Sequence, residues 1–139
     1  MTPEARAAIH AASFARERAW SAREFAALLD DPHVFAVDAA EDAAGFALGR
    51  AVAGEAELLT LAVAPAARRK GHGRALVAAF EEGARERGAS EAFLEVAADN
   101  AAAVALYTAA GYGERGRRPG YYARPETTVD ALLMGRALA

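Results

Sequence analysis

The run from Glu57 to Val77, ELLTLAVAPAARRKGHGRALV, constrains the fold more than any other stretch of this chain. Its first part is a short, nearly continuous apolar run, the composition of a strand buried on both faces. Pro65 ends it, because proline has no N–H for a sheet ladder. From Arg74 to Arg87 the spacing becomes helical, with Leu76, Val77, Phe80 and Ala84 on one stripe, and Gly88 is the C-terminal stop. Between strand and helix, Arg68, Arg69, Lys70 and Arg74 place four positive charges in seven residues of a chain whose net charge is −3. Gly71 and Gly73 let the backbone turn tightly and leave N–H groups open to a ligand. The helix start aims its own unpaired N–H groups and positive dipole end at the same spot. The segment therefore predicts an anion site, and phosphate fits it.

Glycine spacing discriminates among phosphate-binding loops. A P-loop ends Gly-Lys-Ser/Thr, whereas this loop ends Gly73-Arg74-Ala75 and offers no hydroxyl for magnesium. A dinucleotide fingerprint needs a third glycine where Leu76 stands. An ordinary strand-to-helix turn with solvated arginines would carry the same glycine pair. Arg68-x-x-Gly71-x-Gly73 after a strand resembles the pyrophosphate-binding loop of the GNAT superfamily of acetyl-CoA-dependent N-acetyltransferases.

The flanking sequence reads as alternating elements. Pro3 to Ser13 is helical in composition, with Ile9 and Phe14 as anchors; Ser21 followed by Glu24 forms a capping box that opens a helix through Leu29. Asp30-Asp31-Pro32 ends that helix, Val34 to Val37 begins a strand, and Ala43 to Val52 is a second strand. The turn Ala53-Gly54-Glu55 returns the chain to the Glu57 strand, which predicts three antiparallel neighbours. After the long helix, Glu91 to Val96 is a strand, and a strand-helix-strand crossover makes it parallel to the first. Asp99-Asn100 caps a helix from Ala101 to Ala110 that closes at Gly111. Tyr112 to Arg117 and Val129 to Arg136 read as two more strands around an irregular loop holding Pro119, Gly120, Tyr121, Tyr122 and Pro125. The expected architecture is one α/β domain over residues 1–139, a mixed sheet of about six strands flanked by about four helices.

Glu95 interrupts an apolar strand, and period two places it beside Phe93, opposite Leu94 and Val96. A solvated edge residue would look the same. A carboxylate in a cleft, however, can take the proton that an amine must lose before it attacks a thioester. The stretch Asn100-Ala101-Ala102-Ala103-Val104-Ala105-Leu106-Tyr107, followed by Gly111-Tyr112, resembles the GNAT motif Asn-x-x-Ala-x-x-Leu-Tyr with its trailing Gly and aromatic. Ala103, Leu106 and Ala110 are placed to pack on the sheet, and Tyr107 to project a phenol from a neighbouring face. That phenol is either a half-buried packing group or a general acid, since an unperturbed pKa near ~10 keeps it protonated at neutral pH.

Glu55 to Val63, Leu94 to Asn100 and Gly120-Tyr121-Tyr122 together resemble the bacterial ribosomal-protein alanine N-acetyltransferases, over roughly Ser13 to Leu138. The resemblance implies Glu95 as base and Tyr107 as acid toward the departing CoA thiolate. It implies main-chain binding of the pantetheine arm by Leu61, Ala62 and Val63, with the Val63 N–H polarising the thioester carbonyl. It further implies pyrophosphate binding by Arg68, Arg69, Lys70, Gly71, His72, Gly73 and Arg74, and a CoA contact from Asn100. Trp20, Tyr121 and Tyr122 would line the peptide side, or serve as packing aromatics. The family usually has a strand before its first helix, but here only Met1-Thr2-Pro3 precedes helical sequence; Phe14 is followed by Ala15 where relatives often have proline.

Composition closes off other classes. The absence of cysteine excludes a disulfide framework, a thiolate zinc site and a cysteine nucleophile, and three scattered histidines have no metal-ligand spacing. No apolar run reaches ~18–20 residues and the start is not cationic, so neither a membrane span nor a signal peptide is expected. Net charge −3, with basic residues clustered at one loop and near the C-terminus, argues against nucleic-acid binding. Much of the apolar fraction is alanine, so core strength is expected from Phe14, Trp20, Phe25, Leu28, Phe35, Phe46, Leu59, Leu61, Phe80, Phe93 and Leu106. The expected function is a cytoplasmic enzyme that uses acetyl-CoA and no metal to acetylate a protein or peptide N-terminus, a ribosomal-protein alanine foremost. A small-molecule amine as acceptor, or a non-catalytic acetyl-CoA-binding module, are the rivals. Oligomeric state stays open between monomer and weak dimer.

Overall fold

The computed structural model describes residues 1–13 and 20–138, so the expected Phe14 anchor and the Phe14-Ala15 pair lie outside the described residues. In chain order the elements are α1 (Pro3–Ser13), α2 (Ala22–Asp30), β1 (Val34–Asp38), β2 (Gly45–Val52), β3 (Glu55–Val63), a 3-10 turn (Pro65–Ala67), α3 (His72–Glu86), β4 (Glu91–Ala97), α4 (Ala101–Ala109), β5 (Gly113–Ala123) and β6 (Thr128–Ala137). The six strands form one sheet in the order β1-β2-β3-β4-β6-β5. β3 and β4 run parallel and the remaining neighbours are antiparallel. This is the mixed α/β architecture that the element pattern predicts. Among the described residues no strand precedes α1.

Local chemistry fixes the boundaries. The Ser21 hydroxyl accepts from the Glu24 N–H (3.1 Å) and the Glu24 carboxylate accepts from the Ser21 N–H (3.2 Å), completing the capping box at the start of α2. The β2–β3 hairpin turns through Ala53 and Gly54 at φ 53° and 82°, the positive pair that matches the twist of a two-residue hairpin. Gly88, at φ 82°, follows the last turn of α3.

Two apolar clusters lie on opposite faces of the sheet. Ile9 of α1 and Phe25 of α2 pack on Phe46, Leu48 and Ala62, while Leu76, Val77, Phe80 and Ala84 of α3 pack on Phe35, Ala47, Ala51, Ala56 and Leu58. Phe25, Phe46 and Phe80 are fully enclosed, each contributing roughly 1.5–3 kcal/mol by removal from water. Small residues let α3 sit low on the sheet. A Cβ on Gly49 would stand 2.7 Å from ring atoms of both Phe35 and Phe80.

Two expectations need correction. β3 meets both apolar clusters but is less completely buried than expected: Ala56 and Leu58 are buried on the α3 side and Ala62 on the α1/α2 side, the face changing where the register with β2 shifts, whereas Leu59, Leu61 and Val63 are only half-buried. The expected irregular loop at Pro119–Tyr122 is instead part of β5, which carries a register shift between Arg118 and Tyr122. A proline is tolerated there because β5 is the outermost strand, where a missing N–H breaks no ladder. Gly120 at φ 61° takes the bulge, and its N–H donates to Asp130 (3.0 Å) instead of to a strand partner.

One feature of the sheet positions the candidate site. β3 and β4 pair only through Glu55–Glu91, Ala56–Ala92 and Glu57–Phe93, and then part. β3 stays bonded to β2 as far as Val63, and β4 to β6 as far as Ala97. The sheet therefore opens along an internal seam.

Candidate active site

A cavity of about 400 Å³ fills the seam, within the roughly 300–1,000 Å³ that ligand sites occupy. Leu58 to Leu61 of β3 form one wall and Leu94 to Ala97 of β4 the other. Asn100, Ala103, Leu106 and Tyr107 close it from α4, Tyr121 and Tyr122 from β5, and His10 and Trp20 from the α1–α2 side. Of the residues singled out from sequence, this brings together Trp20, Leu61, Glu95, Asn100, Tyr107, Tyr121 and Tyr122. Ala62 faces away into the α1/α2 cluster, Val63 ends β3 opposite Gly45, and Arg68 to Arg74 lie outside the cavity.

Glu95 falls on the face that strand alternation gives it, half-buried between buried Leu94 and Val96. Its Oε2 forms an ion pair with the Arg118 guanidinium, 2.9 Å from Nε. Glu57, on the facing strand, is also half-buried. Burial pushes its carboxyl above the usual range, the nearby Arg50 charge opposes this, and the negative charge of Glu95 adds to it. Tyr107 is the buried residue of α4, set edge-on to Tyr112 with ring centroids 6.1 Å apart. Burial pushes its phenol up to about 12. The group is a proton donor throughout the neutral range. Asn100 caps α4, its Oδ1 accepting from the Ala103 N–H (3.2 Å), which leaves the side-chain amide NH₂ as the group it can offer a ligand.

The peptide-side aromatics form two walls. Trp20 stacks on His10 (4.9 Å, 21°) and tilts against Phe25, and the Trp20 backbone N–H donates to His10 Nδ1 at 3.2 Å. Tyr121 is exposed and meets Tyr122 edge-on at 5.0 Å. Asp99 clamps this second wall to α4, its two oxygens each accepting from Arg124 at 2.8 Å.

The cationic loop leads into α3 with Arg69 at φ 64° and Gly71 at φ 82°. Arg68, Arg69 and Arg74 are exposed and make no ion pair among the described residues. Lys70 and His72 are engaged instead with Glu41 from the β1–β2 loop, at 3.7 Å and 3.0 Å. The hydrogen bond to His72, then the Lys70 charge, holds the Glu41 carboxyl below its ordinary value. Loop and cavity meet at Leu106, which lines the cavity and stands 3.2 Å from where a Cβ on Gly73 would be.

Sequence reasoning missed His10 and the Arg118–Glu95 contact. His10 follows Arg6 by one turn and neighbours Ile9, so helical spacing already puts it on the buried stripe of α1. The Arg118 contact carried no local signal. Among the described residues no group of His, Cys, Asp and Glu is arranged to hold a metal ion, and no helix is long and apolar enough to cross a membrane.

A sheet opened at one parallel pair, a cavity holding a carboxylate and a buried phenol, and a cationic loop at the next helix together define an acyl-transfer scaffold. The chain belongs to the acetyltransferase (GNAT) family, which it matches over residues 3–112. It is close to the ribosomal-protein alanine N-acetyltransferases. It is 35% identical over 134 residues to the [ribosomal protein bS18]-alanine N-acetyltransferase of Escherichia coli K12, covering 96% of this chain and 90% of that protein. The crystal structure of the Escherichia coli ribosomal-protein-S18-alanine N-acetyltransferase superposes with a TM-score of 0.87 at 32% identity, covering 99% of this chain and 88% of that one. A Salmonella typhimurium protein solved with its cofactor acetyl-CoA shares the fold at a TM-score of 0.61 and 24% identity, over 69% of this chain and 58% of that one.

Proposed function

We propose that this enzyme transfers the acetyl group of acetyl-CoA directly to the α-amine of a protein N-terminus, with the N-terminal alanine of a ribosomal protein as the acceptor. The observation that carries the proposal is the meeting of Glu95, Tyr107 and the aromatic walls in one cavity at the opened seam. A ribosomal acceptor would put the reaction in the cytoplasm.

The residues present suit acetyl-CoA. Three guanidiniums without an ion pair among the described residues, leading into and opening a fifteen-residue helix, suit a pyrophosphate. Leu61, Ala62 and Val63 would hold the pantetheine arm along the β3 main chain, and the Asn100 amide would donate to it. When bound, acetyl-CoA supplies an activated thioester. Glu95 would take a proton from the acceptor ammonium, directly or through water, and Tyr107 would give its proton to the departing thiolate. Trp20, with His10 behind it, and Tyr121 and Tyr122 would line the acceptor peptide.

Protonation favours an α-amine. With a pKa of ~8, on the order of a tenth is neutral at pH 7, against well under a thousandth for a lysine near ~10.4. One carboxylate base is then sufficient.

Saturating CoA is expected to raise the melting temperature by on the order of 10 °C, because a ligand bound 100-fold above its Kd adds about 2.7 kcal/mol. The rise should shrink in Arg69→Ala and Arg74→Ala. No rise at saturating CoA would overturn the loop assignment. The acceptor is tested by CoA release: an alanine-starting peptide should drive it, and a polyamine or amino sugar should not.

A further inference from the structure

We infer that Arg118 is the resident counter-ion of Glu95, and that the incoming acceptor ammonium displaces it. The inference rests on Glu95 being the base, as proposed above. Glu95 pairs with Leu133 of β6, and Arg118 pairs with Ala131 on the other side of the same strand. The Arg118 side chain therefore crosses β6 to put its Nε 2.9 Å from Glu95 Oε2. On the way its guanidinium lies 5.5 Å from the centroid of Tyr121, a residue that lines the cavity.

The pair is unequal. The Glu95 side chain is 23% exposed and that of Arg118 is 57% exposed. The arginine also sits at the start of a bulge in an outermost strand, which has a neighbouring strand on one side only. The carboxylate is the fixed partner and the guanidinium the movable one.

An α-amine with a pKa of ~8 arrives at pH 7 as about nine parts in ten ammonium. A second cation cannot approach Glu95 while Arg118 holds it, except against like-charge repulsion. Exchange of guanidinium for ammonium removes that repulsion and leaves the charge at Glu95 unchanged. Arg118 withdraws over Tyr121 toward solvent, where cation–π attraction continues to hold it. The ammonium then passes one proton to the Glu95 carboxylate, giving a neutral amine and a carboxylic acid, with no other group consumed. Among the described residues, no other ion pair to Glu95 stands at this point. Glu57 of β3 is a carboxylate whose own neighbour is Arg50 of β2, Tyr107 of α4 is a neutral phenol, β6 contributes Leu133, and His10 of α1 faces from across the cavity.

Arg118 thus acts on the acceptor by competition. An exposed pair of this kind is worth little, so its removal should lower the acceptor KM by about two- to fivefold, with the change in KM and not in kcat. The experiment measures initial rates with an alanine-starting peptide at saturating acetyl-CoA for wild type, Arg118→Ala and Arg118→Lys, with the melting temperature of each checked. Arg118→Lys should restore the wild-type KM. An N-acetylated peptide, which has no charge at its end, should inhibit wild type and Arg118→Ala equally. An unchanged or raised KM in folded Arg118→Ala, with Glu95→Gln strongly impaired, overturns the counter-ion inference and leaves the base assignment standing. A fully active Glu95→Gln overturns both.

Discussion

Tyr107→Phe is expected to lose on the order of 10²–10⁴-fold in acetyl transfer, the contribution of a positioned general acid, while still folding. The substitution removes one oxygen and keeps the ring, so the buried surface of α4 and the edge-on contact with Tyr112 survive. If the hydroxyl is hydrogen-bonded, its loss costs about 1 kcal/mol of stability. The acid and packing roles therefore separate by two orders of magnitude or more in rate against a small stability change. The pH dependence adds a second readout. Burial raises this phenol from its ordinary value of ~10 to about 12, so the acid is fully protonated below ~10 and is lost only as pH rises through about 12. The alkaline limb assigned to this residue should accordingly lie above that of a solvent-exposed tyrosine. The deficit should also shrink with a thioester whose thiol leaves more readily, because such a thiol depends less on being protonated. A destabilised Tyr107→Phe that is fully active per folded molecule would assign the residue to the core alone.

Glu95→Gln is the second large effect. Glutamine keeps the shape and cannot take a proton, so transfer should fall by about 10²–10⁴-fold where the amine must be deprotonated on the enzyme. At pH 6 only about 1% of an α-amine with pKa ~8 is free, and at pH 9 about 90% is. The deficit is therefore expected to be greatest at pH 6 and to close progressively toward pH 9. CoA-induced stabilisation should persist, since the loop cations lie outside the cavity that holds Glu95. Stability itself should change little, because glutamine keeps the shape of the half-buried side chain and the Arg118 half of the pair is more than half exposed. Full activity from pH 6 to 9 would move the base elsewhere.

The parts legible in the sequence are those whose physics is local. The Ser21–Glu24 cap, the hairpin at Ala53-Gly54, the apolar stripe of α3, the Asn100 cap and the face occupied by Glu95 each depend on residues a few positions apart, and each appears where spacing predicts. What stayed hidden depends on partners. An apolar run cannot say that β3 will leave β4 after three pairs, so Leu59 and Leu61 read as core when they edge a cavity. Phe93, expected in the core, is half-buried because it shares the Glu95 face at the same parting. Pro119 and Gly120 read as loop until β5 is known to be outermost and Asp130 of β6 is known to satisfy the Gly120 N–H. Arg118 lies 23 positions from Glu95, and only the order β4-β6-β5 brings the two side chains together.

The most direct test of the account is to find where the acetyl group goes on an acceptor that offers both kinds of amine. A peptide starting with alanine and carrying one internal lysine, incubated with the enzyme and acetyl-CoA and fragmented in a mass spectrometer, should carry a single acetyl on the alanine nitrogen. The same peptide blocked at its N-terminus should carry none. Acetyl found on the lysine of either peptide, or no transfer to the free alanine while a small amine is acetylated, would contradict it.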